Sequence, residues 1–401
     1  MKVLKLFKTL ENVSFATNIV GSEEEEEHKR SLSREGEYTI HHVLQQVVFL
    51  HFMSHEEKIK SFNSALSILE MLFPKQEKFE DFRTNAVRDR HSIIAFHTLA
   101  VSQHILSLED ISGLNNVHSL FTAVSTYLFR LGRAKDAKSL CKAMLHISRL
   151  RKLDDNLQFA EELTYLGRAY FQTKTLDKAE RYFSDSIDVY KGISGEENIE
   201  VLKVKQRLGR AMQDNEDYMK DSNKREEIER LLTETLNMKK KIFENKDEKD
   251  HYTVAHALHQ LGCFYQNTGE FEKAEDMLKE SLEMRKRYWK RKYGTIEVED
   301  VAIGMTLLAR NNILNSRKDI EETKTILTSA LEIKEKCMVS TNESYQLGLY
   351  YLAMLYHIIG DDSNSRDYLS KIEIEEYRTL FNRNRDEKDR AKVFEVEMVW
   401  M

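Results

Sequence analysis

The order of apolar and polar positions in YLGRAYFQTKTLDKAERYFSDSIDVYK (165–191) recurs in QLGCFYQNTGEFEKAEDMLKESLEMRK (260–286). Both segments carry Leu-Gly, a Tyr three residues after the glycine, an Ala twelve after it, and then a large apolar and a small residue. This spacing predicts two helices joined by a short turn. A small residue on each helix lets the two approach closely, and the aromatic fills the gap between turns.

With Gly167 and Gly262 as anchors, the same template finds Ser125, Gly209, Ala309 and Ala353, at successive spacings of 42, 42, 53, 47 and 44 residues. The facing positions on the second helices begin at Ala137, Ala179, Ile228, Ala274, Thr323 and Ser365, so six helix pairs are expected. The third pair needs seven extra residues around DNEDYMKDSNK (214–224), and the fifth needs two near Asn315. Gly304 offers a rival register for the fifth pair. Ala309 is preferred because it keeps Val301 seven residues before a leucine, as Val254 stands before Leu261.

Composition points the same way. The 401 residues are 41% apolar yet contain one proline and 14 glycines, against about 20 and about 28 at ordinary usage. Sandwiches, barrels and α/β enzymes consume those residues in turns, so an all-helical chain with short polar connections is expected.

A helical pair repeated at this interval is the tetratricopeptide pattern, although the period exceeds its usual length of about 34 residues. The stretch LNMKKKIFENKDEKDHYTVAHALHQLGCFYQNTGEFEKAEDML resembles the repeats of kinesin light chains and nephrocystin-type proteins. There a basic helix end leads through an Asp-His-Pro-like linker into Val-Ala. Asp250-His251 and Val254-Ala255 match, whereas Tyr252 stands where that family has proline. The resemblance implies a right-handed superhelix, an α-solenoid, of divergent repeats.

The N-terminal residues do not fit the template. KVLKLFKTLEN reads as a helix, VSFATNIV as a β-rich run, GSEEEEEHKRSLSREGE as a charged loop, and YTIHHVLQQVVFLHF as a strand turning into helix. A helix followed by a hairpin with a loose tip is how a winged helix ends. His41 and Gln45 resemble the strand-to-helix segment closing the winged helix of NB-ARC tetratricopeptide proteins, with His42 in place of the usual Arg. Phe73-Pro74 and Phe82 resemble that family's linker helices. The resemblance implies the C-terminal part of a signalling ATPase of the STAND type, but GxxxxGK[ST] occurs nowhere, so no nucleotide chemistry carries over. The expected organisation is a winged-helix-like remnant with a short β-hairpin over 1–50, linker helices over 51–112, six pairs over 113–372, and a capping helix and tail over 373–401.

Charge and candidate chemistry add limits. The net charge is −6, with 61 basic and 67 acidic residues interspersed, which gives no general field for nucleic acid or membrane. Neither a signal peptide nor a long apolar span is read, and Cys141, Cys263 and Cys337 form no paired motif, so a reducing, cytoplasmic setting is expected. His251, His256 and His259 lack a thiolate or carboxylate in a matching frame, and a polar helix face accounts for them better than a metal. No catalytic signature appears, so no enzyme activity, cofactor, metal or small-molecule substrate is expected. RKRYWKRK (285–292) has the form of a single-stranded nucleic-acid site, but a solvated helix end complementing its dipole explains it as well.

The position after each anchor is expected to face the groove lined by the first helices. It reads Thr126, Arg168, Arg210, Cys263, Arg310 and Met354. Arg168, Arg210 and Arg310 would form a cationic ladder, with Gln206, His259 and Gln266 as hydrogen-bonding groups between them and Phe129, Phe171, Ile313 and Tyr350 as apolar anchors. Arginine suits bidentate recognition of carboxylates. The function expected is a non-catalytic scaffold that holds an acidic peptide or helix of a partner protein. The competing readings are a sensor arm of a STAND-type ATPase and, more weakly, an RNA-binding helical repeat.

Overall fold

The computed structural model describes residues 16–18, 38–40, 54–73, 85–106, 108–153, 156–244, 250–315, 320–337 and 342–384. The chain divides into two compact units, Met1–Ser67 with Ile111–Asn115, and Ile68–Asp110 with Asn116–Met401.

In the first unit, strands β1 (Ala16–Asn18) and β2 (Tyr38–Ile40) pair antiparallel, with Thr17 opposite Thr39. Helix α1 (His55–Leu72) opens with a capping box: the Ser54 hydroxyl accepts from the Glu57 amide at 3.3 Å, and the Glu57 carboxylate accepts from the Ser54 amide at 3.0 Å. The Asn63 amide donates to the Gly113 carbonyl at 2.7 Å and its oxygen accepts from the Asn115 amide at 2.7 Å, which ties 111–115 to α1. Apart from the six strand residues, the remnant expected over 1–50 lies outside the described residues, and one pair of three-residue strands does not establish a winged helix. Pro74, Phe82, the run Glu23–Glu27 and 385–401 also lie outside them.

The second unit is helical throughout its described residues. After α2 (Asn85–Leu106) come α3 (His118–Arg130) with α4 (Ala134–Leu150), and α5 (Leu157–Gln172) with α6 (Leu176–Ser194). Next, α7 (Ile199–Gln213) pairs with α9 (Ser222–Glu244), and the five-residue α8 (Glu216–Lys220) lies between them. The pairs α10 (Tyr252–Asn267) with α11 (Phe271–Tyr293), α12 (Glu299–Leu314) with α13 (Ile320–Cys337), and α14 (Glu343–Ile358) with α15 (Asp362–Ser370) follow, and then α16 (Glu375–Asn384). Helix α8 is where the extra residues of the third pair go.

Local chemistry sets the helix ends. The Asn156, Asn198 and Asn342 side chains accept from free amides of the first turns of α5, α7 and α14. The turn within a pair reverses seven residues after the anchor. That residue is left-handed in four pairs: Gly132 at φ +71°, Lys174 at +55°, Gly269 at +80° and Gly360 at +80°.

Packing inside the pairs depends on the anchors. A Cβ on Gly167 would lie 2.7 Å from the Phe183 ring, one on Gly209 2.6 Å from Leu232, and one on Gly262 2.8 Å from Leu278. Those partners are the second-helix positions expected to face them. Ser125, Ala309, Ala353, Ala137, Ala179 and Ala274 are all fully buried. Hydroxyls fasten the same seam: Ser186 donates to the Ala160 carbonyl and Ser281 to the Ala255 carbonyl, each at 2.7 Å. Gly304 behaves differently. Its added Cβ would meet Leu282 of the preceding pair at 3.2 Å, so it marks a contact between pairs, while Ala309 is fully buried on α12.

Overpacking such a seam typically costs about 1–3 kcal/mol. The variant Gly262→Leu is therefore expected to lower the melting temperature or broaden the transition, because Leu278 cannot retreat from a seam closed on both sides. An unchanged melt would mean that α10 and α11 do not approach as described.

Candidate functional site

The first helices α5, α7, α10 and α12 border a cleft of about 420 Å³. From α5 come Arg168 and Phe171, from α7 Lys203, Gln206, Arg207 and Arg210, from α10 Tyr252, His256 and His259, and from α12 Asp300 and Ile303. Three second-helix side chains, Phe183, Lys239 and Arg285, reach it from behind. A neighbouring cleft of about 660 Å³ shares Arg168, Lys203 and Arg207, and adds His118, Glu161, Tyr165, Tyr190 and Glu200.

Five of the expected groove residues therefore line the first cleft: Arg168, Arg210, Gln206, His259 and Phe171. Three do not. Tyr350 is fully buried, its ring 5.9 Å from that of Tyr377, because α16 packs over the face of α14 on which it sits. Arg310 is 7% exposed and donates to the Gln266 side chain at 3.0 Å, while Gln266 donates to the Leu307 carbonyl at 2.9 Å. These bonds hold α12 against α10, although the buried Arg310 Nε makes no hydrogen bond among the described residues. The rule that the residue after each anchor faces open groove fails for the last three pairs, where Cys263, Arg310 and Met354 are all buried. Phe129 and Ile313 are buried as well.

The residues of the cleft are not equally available. Arg210 pairs with Asp214 one turn on, at 2.9 Å. Gln206 donates to the His256 carbonyl at 2.8 Å and its oxygen accepts from the Lys239 ammonium, so it is a bridge between α7, α9 and α10. The His259 ring nitrogen meets an Arg285 guanidinium nitrogen at 3.0 Å. Arg285, 1% exposed, also donates to the Asp300 carboxylate, on which His256 closes to 3.3 Å and the Trp289 indole N–H to 2.9 Å. Burial opposes the Asp300 charge, but Arg285, His256 and Trp289 hold that carboxyl far below the usual carboxylate range. RKRYWKRK is therefore not a wholly solvated helix end. Arg285 and Tyr288 are buried, and Arg287 pairs with Asp250 at 2.9 Å.

Three further cations line the cleft, and Glu200 acts on Arg207 and Lys239 from a distance. The Arg168 guanidinium lies 4.3 Å over the Phe129 ring, and burial followed by Arg207 brings its pKa down to about 10. Arg207 keeps solvent contact at the wall, yet the protein mass around it lowers it too. Lys239 is 1% exposed, and burial, then Arg207 and Lys203, push its ammonium down to about 7. None of the three has an ion-pair partner among the described residues. The periodicity of the second helices carried a signal for Lys239: Ser148, Tyr190, Lys239, Arg285 and Lys334 occupy one register position, four residues after Met144, Ser186, Thr235, Ser281 and Ala330, and all five are buried.

Among the described residues no group of histidine, cysteine and carboxylate side chains could hold a metal ion. His251 is a helix cap, accepting from the Thr253 amide at 3.3 Å and stacking on Phe243 at 3.8 Å. The Cys141 thiol is fully buried and pushed up to about 12, and Cys263 is raised by the same burial, so neither supplies a thiolate. No described helix is long and apolar enough to cross a membrane.

The buried ammoniums set a pH dependence. Lys239 and Lys334 fold with pKa values of about 7, below the ordinary 10.5, so the unfolded chain binds more protons across that window and stability rises with pH through it. His118 opposes them. Burial disfavours its charge, but hydrogen bonds to Glu161 and Glu162 raise it to about 9, and the stability it adds below 6.5 is lost as pH climbs through 9. Urea unfolding is expected to show a gain from pH 7 that steepens above pH 9, with a smaller gain in Lys239→Met. An identical slope in that variant would place the Lys239 ammonium in water.

Residues 254–288 match the tetratricopeptide repeat family model. No curated protein matches the chain. Among solved structures, the chain is similar to a Rap protein crystallised with competence and sporulation factor, at 12% identity over 84% of this chain and 96% of that one, with a TM-score of 0.50. It is also similar to a kinesin light chain-type array of nearly identical TPR-like repeats from Podosopora anserina, at 19% identity over 58% of this chain and 97% of that one, with a TM-score of 0.40. At such identities the likeness is one of fold alone: a tetratricopeptide-like array of helix pairs.

Proposed function

We propose that the chain is a non-catalytic scaffold whose cleft across α5, α7, α10 and α12 holds an acidic segment of a partner protein. The observation that carries this reading is the group Arg168, Arg207 and Lys239, three cations without an ion-pair partner among the described residues, beside the apolar surfaces of Phe171 and Ile303. Burying the Arg168 and Lys239 charges without a counter-charge is costly, and a carboxylate entering the cleft beside the exposed Arg207 relieves that cost. The Rap protein's complex with competence and sporulation factor is an instance of a similar fold engaged by a second molecule. The cationic set differs from the ladder expected from the first helices. Arg207 and Lys239 take the place of Arg310, and Arg210 is already neutralised by Asp214.

A charge-assisted contact is worth about 1.5–3 kcal/mol when desolvated and about 0–1 when exposed, so affinity is expected to be modest and to fall with salt. Partners captured by the wild type are compared with those captured by Arg168→Glu/Arg207→Glu and by Lys290→Glu/Lys292→Glu on the exposed end of α11. Loss of capture, by about tenfold or more, is expected in the cleft pair alone. Loss in the α11 pair with retention in the cleft pair would move the binding face to that helix end and end this reading.

A further inference from the structure

Building on that reading, we propose that the centre of the cleft is a receptor for one phosphoryl group carried on a side chain of the partner segment. The charge balance around the cleft points to it. Its peripheral cations are already neutralised: Lys203 by Glu200 at 2.7 Å, Arg210 by Asp214 at 2.9 Å, and Arg285 by Asp300. What remains is the central group of Arg168, Arg207 and Lys239. A single carboxylate brings one charge and two acceptor oxygens, and leaves most of that positive charge uncompensated. A phosphoryl group brings a charge of about −1.5 to −2 and three strong acceptor oxygens, which suits two guanidinium forks and one ammonium.

The surroundings favour one such group over a phosphodiester chain. Single-stranded nucleic-acid sites pair stacking aromatics with a positive track along the backbone. Here the positive stretch is short. Glu161 and Glu200 line the adjoining cleft on one side, and Asp300 stands on the other. A polyanion running past the centre in either direction would meet closed ion pairs and find no further free cation among the described residues of the two clefts, whereas a peptide carrying one phosphoryl group needs none. Phe171 and Ile303 offer apolar contact to its neighbours.

The position of Lys239 is built into the fold. Gln206 accepts from its ammonium and is itself fixed by donating to the His256 carbonyl at 2.8 Å. Lys239 is therefore fixed in the cleft lining before any ligand arrives, and a preorganised donor loses less freedom on binding.

The test uses the full chain and three fluorescent peptide libraries, degenerate except for a central phosphoserine, glutamate or serine, read by anisotropy. The phosphoserine set is expected to bind at least about tenfold more tightly than the glutamate set. That advantage should disappear in Arg207→Ala, whose side chain is exposed and whose melt should match the wild type, and in Lys239→Met. Equal binding of the phosphoserine and glutamate sets would overturn the phosphoryl assignment while leaving the acidic-segment reading in place. Failure of all three sets to bind would remove both. Phosphoserine binding indifferent to both substitutions would put the phosphoryl group elsewhere on the chain. A single-stranded oligoribonucleotide that binds more tightly than the phosphoserine set, and is released by Arg207→Ala, would make the cleft a nucleic-acid site and overturn the proposal.

Discussion

The close approach of two helices within a pair is the constraint from which the other features follow. Where Gly167, Gly209 and Gly262 leave out a side chain, Phe183, Leu232 and Leu278 occupy the space, and no other residue type allows that distance without displacing them. Because the second helix sits so near, its last turns extend beneath the next pair. Lys239 and Arg285 can then reach past their own first helix into the lining of the cleft. The cleft is in this sense a product of the packing, with its floor supplied by helices whose outer faces lie in solvent.

The sequence revealed the pairing better than the chemistry, for a physical reason. A small residue facing a large one across a seam leaves a repeating trace, so the anchors and the insertion now seen as α8 could be read directly. Which polar residues stay available depends on partners far along the chain. Nothing near Arg310 announces Gln266, 44 residues earlier, as its acceptor, and nothing near Tyr350 announces the fold-back of α16. Residues 254–288, which match the family model, hold one of the two pairs that keep Leu-Gly, the tyrosine three residues on and the alanine twelve on.

Lys239 and Arg207 were missed for complementary reasons. Lys239 lies in NMKKKIFENK, a run that looks like an ordinary basic helix end, and only its place four residues after Thr235 separates the buried lysine from its exposed neighbours. Arg207 sits two residues before an anchor, off the position taken to face the groove. The geometry of a curved wall, in which several registers of one helix share an opening, decided its role.

Gly304 and Gly348 hold the same place in the fifth and sixth pairs, five residues before their anchors. A Cβ on the first would lie 3.6 Å from the Arg285 side chain, and one on the second 3.7 Å from the Lys334 nitrogen. Each buried cation thus crosses the next pair at a point left bare for it, and finds its acceptors there: Asp300 for Arg285, and the Ser344 carbonyl, at 2.8 Å, for Lys334. Parting two neighbouring pairs would strand a charge as well as expose apolar surface. Repeat arrays owe their cooperativity to such nearest-neighbour terms. The C-terminal half of this one should therefore unfold as a block.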